Sequence, residues 1–374
     1  MKGPRGELWL FTVTLLLAAG GIVMVYSASS ILAQERFGDS YFFVRKQVLF
    51  AAVGIASMVL LSRIPYTGFR HLAYPGIFLA ITLLVLLAVP GFGVRAGGAT
   101  RWLRLGGFAF QVSEVVKVFL VIFLAAFLSR KEEHIGDFRR VFPVPLAFLA
   151  VIVLLVLRQP DFGTSALLCA IAFFLFYLAG CRITHLAGLL LLALPGAAYV
   201  LVFEPYRLKR LLAFLKPWEH ASDSGFHIVQ SFISFGSGGL FGVGLGNSTQ
   251  KLFYLPEPHT DFILAVVAEE TGLVGVSVLL VLFLVLITRG FVIASRSEDR
   301  FGFTLASGLT ALIALEVFIN MGCAMGLLPT KGLPLPFISY GGTSLIVSLA
   351  VMGILMNISL TQRERETNKE GGEP

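Results

Sequence analysis

Charge is what this sequence has least of. Only 14% of its 374 residues are charged, against roughly 25% in a soluble domain, which excludes a freely soluble globular fold. Cysteine is almost as scarce: Cys169, Cys181 and Cys323 lie in or beside apolar runs with no CxxC spacing. They exclude a disulfide framework and a thiolate metal centre, and read as small packing residues. Histidines are few and lack partners at ligand spacing, so neither a zinc site nor a Ser-His-Asp arrangement is legible. The glycine-dense stretch "GSGGLFGVGLGNS" (236–248) does not match GxGxxG or a P-loop, and no strand pattern precedes it. Nucleotide binding is thereby disfavoured, and close backbone approach or a re-entrant turn is the better reading. No fixed-period repeat is visible either.

What is present in abundance is apolar surface. The chain is 56% hydrophobic with a mean hydropathy of +0.85, and apolar runs of the length that about 30 Å of hydrocarbon demands recur from end to end. The spans expected are about 8–28, 47–64, 72–89, 113–129, 143–158, 163–181, 186–203, 262–288, 301–328 and 342–360. The fold class is therefore an all-α integral membrane protein, a polytopic bundle of about ten helices with both termini on one face. The first run reads as a retained span, since "YSASSILAQERF" continues into an ordered connection. Lys and Arg divide almost evenly between the two faces; the basic residues of the face without termini lie partly in long connections, which are weak topology signals. We therefore expect both termini in the cytoplasm. Positive charge outside then needs a cause, either an anionic substrate or anionic headgroups.

Two connections exceed the rest, 90–112 and about 204–261, both external in this topology and rich in glycine and aromatics. Long loops that are this apolar are functional more often than disordered. Within the second, "YRLKRLLAFLKPW" alternates basic and apolar residues at helical spacing, as an interfacial amphipathic helix does. The domain organisation expected is one transmembrane domain over 1–360 and a charged, solvated tail over 361–374.

Ionisable groups inside spans are costly and so mark function or pairing. Glu114 and Lys117 lie one turn apart at the start of the fourth span, as a functional ion pair or a purely structural one. Glu316 and Asn320 share a face of the ninth span, with packing at least as good a reading as chemistry. Asp261 sits where the large loop enters the eighth span, behind His259 and Thr260. An apolar flank there suits a general base that water and substrate still reach, while a helix N-cap is the bland alternative. At 100° per residue Glu269 falls about 80° from Asp261 and Glu270 about 180°, so the three do not cluster on a straight helix. Glu269 reads as a supporting or interhelical residue, and His259 as a hydrogen-bonding one.

Four blocks carry a resemblance: "GATRWLRLGGFAFQVSEVVK" (98–117), "RQPDFGTSALL" (158–168), "YLPEPHTDFILAVVAEETGLVG" (254–275) and "LLPTKGLPLPFISYGGTSL" (327–345). With "GIVMVYSAS" in the first span they resemble, in order and over nearly the whole chain, the SEDS family of shape, elongation, division and sporulation proteins. The last block looks nearer to the division and sporulation members than to the elongation member. One departure is Val112, where the family usually has proline; Ser113, Glu114 and Lys117 are retained.

The resemblance implies a peptidoglycan glycosyltransferase that polymerises lipid II at the outer face of a bacterial cytoplasmic (inner) membrane during cell division. By it Asp261 is the catalytic residue, with Glu114 and Lys117 in support; His259 and Glu269 join them as supporting residues on the reading of the sequence given above. Arg101, Lys209 and Arg210, together with Lys331 and Ser339 of the last block, are the substrate-binding candidates, the basic ones facing the undecaprenyl pyrophosphate leaving group. A divalent cation, Mg or Mn, is expected as cofactor, with no nucleotide and no nucleic acid. Expected partners are a class B penicillin-binding protein acting as transpeptidase, divisome proteins and membrane lipids. Two other classes stay open, a lipid II flippase and a scaffold that recruits the transpeptidase; the outer-interface position of Asp261 favours the enzyme, because transport sites lie near the midplane.

Overall fold

The computed structural model describes residues 5–89, 91–96, 99–105, 108–202, 205–223, 225–249 and 259–370. Thirteen α-helices run through them: α1 (Arg5–Phe37), α2 (Phe42–Arg63), α3 (Ala73–Ala88), α4 (Val112–Arg130), α5 (Phe138–Val141), α6 (Pro143–Leu157), α7 (Phe162–Leu178), α8 (Ile183–Val202), α9 (Pro205–Leu215), α10 (Phe226–Gly238), α11 (Ile263–Ser295), α12 (Arg300–Ala324) and α13 (Gly342–Glu370). Six of them, α1, α2, α4, α11, α12 and α13, are long and apolar enough to cross a membrane, and α3, α6, α7 and α8 are shorter apolar helices. These ten fall on the ten expected spans.

Burial sorts the bundle into a centre and a rim. α4 and α12 are buried along most of their lengths, pack on each other, and are ringed by α3, α7, α11 and α13. α2 lies along α13, and α8 touches mainly α7 and α9. The rim presents Leu and Val outward, the expected behaviour of a bundle whose solvent is lipid.

The connection before α4 holds a three-stranded antiparallel sheet of β1 (Gly93–Ala96), β2 (Ala99–Leu105) and β3 (Phe108–Gln111), in the order β1-β2-β3. β3 runs directly into α4. Val112 takes the first helical position, fully buried, so the helix starts there without the proline that favours such a position. The basic-apolar stretch of the large loop is α9, and α10 follows it. The charged tail differs from expectation in form: α13 stays helical through it to Glu370, tied by Gln362 Nε2 to the carbonyl of Ile293 at 2.9 Å.

α11 is not one helix. Gly272 has φ 66° and ψ −165°, so the chain breaks after Thr271 and resumes at Leu273. The glycine-dense segment fills the break as a strand would. Val243 and Gly244 donate to the carbonyls of Glu269 and Glu270, while Leu273 and Val274 donate to those of Gly239 and Leu240, all within 3.1 Å. Backbones approach so closely that a Cβ on Gly272 would stand 2.4 Å from the amide nitrogen of Gly242, and one on Gly242 would stand 2.2 Å from the carbonyl of Glu270. Only glycine satisfies both the contact and the positive φ.

Candidate active site

Asp261 lies in a turn immediately before α11, half-buried. Three residues from two elements hold the turn by its main chain. From α12, Asn320 Nδ2 donates to the carbonyls of Asp261 (3.0 Å) and Leu333 (2.7 Å). From the segment before α13, Ser339 Oγ donates to the carbonyl of Thr260 (2.7 Å), and the Tyr340 amide donates to that of His259 (2.8 Å). Ser339 Oγ also accepts from the Leu335 amide at 2.8 Å. Its hydroxyl is thus engaged with backbone on both sides, in a buried position. Gly332 backs directly onto the carboxylate: a Cβ there would sit 3.0 Å from Asp261 Oδ2.

The cations gather unevenly. Lys331 precedes Gly332, with its Nζ 4.9 Å from the centre of the Phe162 ring. Burial pulls its pKa down, while the charges of Cys323 and Asp161 act upward. Arg210 of α9 reaches the carbonyl of Thr330 at 3.4 Å. Arg101 of β2 is turned onto the start of α7, with Nε 3.4 Å from Asp161 Oδ2 and Nη2 2.9 Å from the carbonyl of Pro160. Lys209 is exposed on α9.

His259 is buried between Phe43 and Tyr340, with ring centroids 4.6 and 5.4 Å away. Burial, aided by the charge of Arg36, pushes its pKa down to about 4, so it is neutral at pH 7. Its Nδ1 has no hydrogen-bond partner among the described residues.

Glu114 and Lys117 form the expected ion pair at 2.8 Å, but Lys117 also bonds Glu316 across the α4–α12 contact. All three are buried. Glu316 stands one turn from Asn320, so this triad underlies the residue that grips Asp261. Glu269 and Glu270 diverge as the helical angle requires. Glu269 accepts from Ser248 Oγ, and from the amide and hydroxyl of Thr249 at 2.9 and 3.0 Å. Glu270 accepts from Ser27 Oγ of α1 at 2.6 Å. Glu269 therefore fastens the glycine-dense segment and does not join Asp261.

Sequence reasoning did not single out Asp161, which caps α7 through the Thr164 amide at 3.0 Å while holding Arg101. It also passed over His227 of α10, whose ring stacks on Phe262 at 5.5 Å, beside Asp261. Burial and the charge of Arg210 lower the pKa of His227. A carboxylate in "RQPDFGT" was the available signal for the first; no local signal marks the second. Residues 250–258, including most of the proline-braced stretch before His259, lie outside the described residues.

A family model described as cell cycle protein, FtsW/RodA/SpoVE, matches residues 7–364. The chain is 43% identical over 355 residues to a Geobacter metallireducens protein named "Probable peptidoglycan glycosyltransferase FtsW", covering 95% of each. It is 42% identical over 362 residues to stage V sporulation protein E of Bacillus subtilis, covering 97% of this chain and 99% of that one. Among solved structures it resembles a chain from work on the structural coordination of polymerization and crosslinking by a peptidoglycan synthase complex. There the TM-score is 0.77 at 28% identity, over 94% of this chain and 97% of that. The rod shape determining protein RodA of Thermus thermophilus matches with a TM-score of 0.69 at 27% identity, over 94% and 96%.

Proposed function

Because this chain belongs to the FtsW/RodA/SpoVE family of cell cycle proteins, we infer that it is a peptidoglycan glycosyltransferase, with lipid II as both donor and acceptor at the outer face of the bacterial inner membrane and both termini in the cytoplasm. The observation that carries the reading is Asp261: a half-buried carboxylate on a turn whose backbone is held from two elements, with Gly332 against it and Lys331 and Arg210 on the adjoining segments. Identity of 43% to an FtsW against 27% to a RodA favours a role in division over elongation.

In this reading Asp261 takes the proton of the acceptor GlcNAc 4-hydroxyl as that oxygen attacks the anomeric carbon of the donor MurNAc. The bond from that carbon to the pyrophosphate breaks, the electron pair leaves with undecaprenyl pyrophosphate, and the sugar configuration inverts. Lys331 and Arg210 meet the developing negative charge. Arg101 and Lys209 stand further out, as contacts for the pyrophosphate on approach or release. Neutral His259 and His227 line the site without adding charge beside the base.

A divalent cation fits this donor set in one way. Among the described residues no three His, Cys, Asp or Glu stand together at ligating distance; Asp261 would be its protein ligand, with pyrophosphate oxygens and water completing the shell, as Mg²⁺ tolerates. Bound there, it would neutralise charge on the leaving pyrophosphate. A class B penicillin-binding protein within the divisome is the partner proposed to crosslink the strands.

The test is polymerisation of labelled lipid II by the purified protein with that partner and Mg²⁺. Asp261→Asn should lower the rate by about 100-fold or more with the complex intact. Equal polymer from both proteins would remove Asp261 as the base. No polymer from either, with lipid II still crossing vesicles, would turn the reading to transport.

A further inference from the structure

At the opposite end of the bundle from Asp261, a cleft of about 570 Å³ opens between the connection that follows α4 and the start of α8. Nothing in the glycosyl transfer uses it. Arg139, Arg182, His134 and His185 line it with Glu133 and Asp137. Of its two carboxylates Asp137 is engaged, accepting from the Arg139 amide at 3.0 Å and from Arg140 Nε at 3.2 Å, while Glu133 is exposed, so the two arginines outweigh it. Glu132, next to Glu133, is taken by Arg300 at 2.5 Å. Neither Arg139 nor Arg182 has a carboxylate within ion-pair distance among the described residues. Gly136 leaves the Arg182 guanidinium close to bare backbone; a Cβ there would stand 3.4 Å from its Nε. His185 is fixed edge-on between Phe138 and Phe142, with centroids 5.3 and 5.8 Å away, and its Nδ1 is buried with no hydrogen-bond partner.

Two unpaired guanidinium groups and the first turn of a twenty-residue helix together favour a compact oxyanion with several acceptor oxygens, the chemistry of phosphate. The surroundings say which phosphate. Ile183, at the rim, is 69% exposed, and Ala187, Leu190 and Leu194 are also exposed at spacings that keep one face of α8. From Ile183 to Leu194 the helix rises about 16 Å, close to half of a bilayer's roughly 30 Å hydrocarbon core. An apolar strip one leaflet long therefore runs from the anion cleft into the membrane.

We propose that this cleft binds the phosphodiester headgroup of an anionic phospholipid in the leaflet at the face where α1 begins and α13 ends, with an acyl chain along the Ile183–Leu194 face of α8. The full-length protein in detergent, titrated with phosphatidylglycerol and read by native mass spectrometry, tests it. R139Q/R182Q should bind the lipid about tenfold more weakly than wild type, and R289Q/R296Q, which removes two exposed arginines elsewhere on the same face, should bind as wild type does. Equal loss in both pairs would reduce the effect to general surface charge and overturn the proposal, as would no loss in either. Glycerol phosphate binding as tightly as the lipid would make the ligand a soluble phosphate, which also overturns it. Should the arginine pair fail to fold, R139Q and R182Q taken singly carry the test; weaker binding in each supports the site and unchanged binding in both sinks it.

Discussion

Asn320 grips Asp261 through the carbonyl and not the carboxylate, so in the mechanism proposed above its effect is one of aim. Asn320→Ala should lower the turnover of lipid II polymerisation by about tenfold with little change in KM, because a misplaced base loses rate more than binding; a change confined to KM would deny it that role. Beneath it, Lys117 bridges two buried carboxylates. Lys117→Met leaves Glu114 and Glu316 facing each other without a cation, at a cost of about 3–5 kcal/mol, whereas Glu316→Gln keeps the Lys117–Glu114 pair. The first variant should fail to yield folded protein on size-exclusion chromatography and the second should survive. His259 makes a pH prediction. Its folded pKa of about 4 lies below the ordinary 6.5, so between those values the unfolded chain holds more protons and stability rises with pH. The contribution, at most about 3 kcal/mol, is complete above pH 6.5 and drains as pH falls toward 4. Apparent unfolding temperature should fall across that window, and less steeply in His259→Phe. At this scale the sequence made Asp261 and the Glu114–Lys117 pair legible, since both are local. It could not reveal Glu316 as the third member, 199 residues from Lys117, because only packing brings α4 and α12 together.

The ten spans were legible as elements because each is a long apolar run bounded by charge or proline, which is the whole requirement for crossing lipid. The sheet before α4 was not. Its strands are four to seven residues long and separated by glycine pairs, too short for a period-2 pattern to stand out. The break in α11 was hidden for the opposite reason, because "ILAVVAEETGLVGVSVLL" reads as a single helix and what divides it is a distant glycine segment. Gly272→Ala should expose that dependence. Forcing a Cβ into left-handed backbone against Gly242 costs about 2 kcal/mol or more. The variant should unfold at lower temperature and polymerise less, with helical content by circular dichroism close to wild type; a normal melting profile would mean the interlock is dispensable.

On the scale of the whole molecule, ten crossings put the start of α1 and the end of α13 on the same face as the lipid cleft, and Asp261 on the other. Single cysteines placed at Arg5 and Glu370 in a cysteine-free background should react with a membrane-impermeant thiol reagent from one side of the membrane, and one at Lys209 from the other. Labelling of Lys209 from the same side as the termini would refute the arrangement.

The interruption at Gly272 gives the outer nine residues of α11, Ile263–Thr271, a separate anchorage. A long helix tilts when the bilayer thins or thickens, and anything rigidly mounted on its tip swings with it. Here the tip and the first residues of the shaft are both bonded to the segment after α10, which splints the joint from the side. The turn that carries Asp261 is thereby braced against tilt by a second element as well as by α11 itself. Polymerisation in bilayers of different acyl length should vary little for wild type and more for Gly272→Ala.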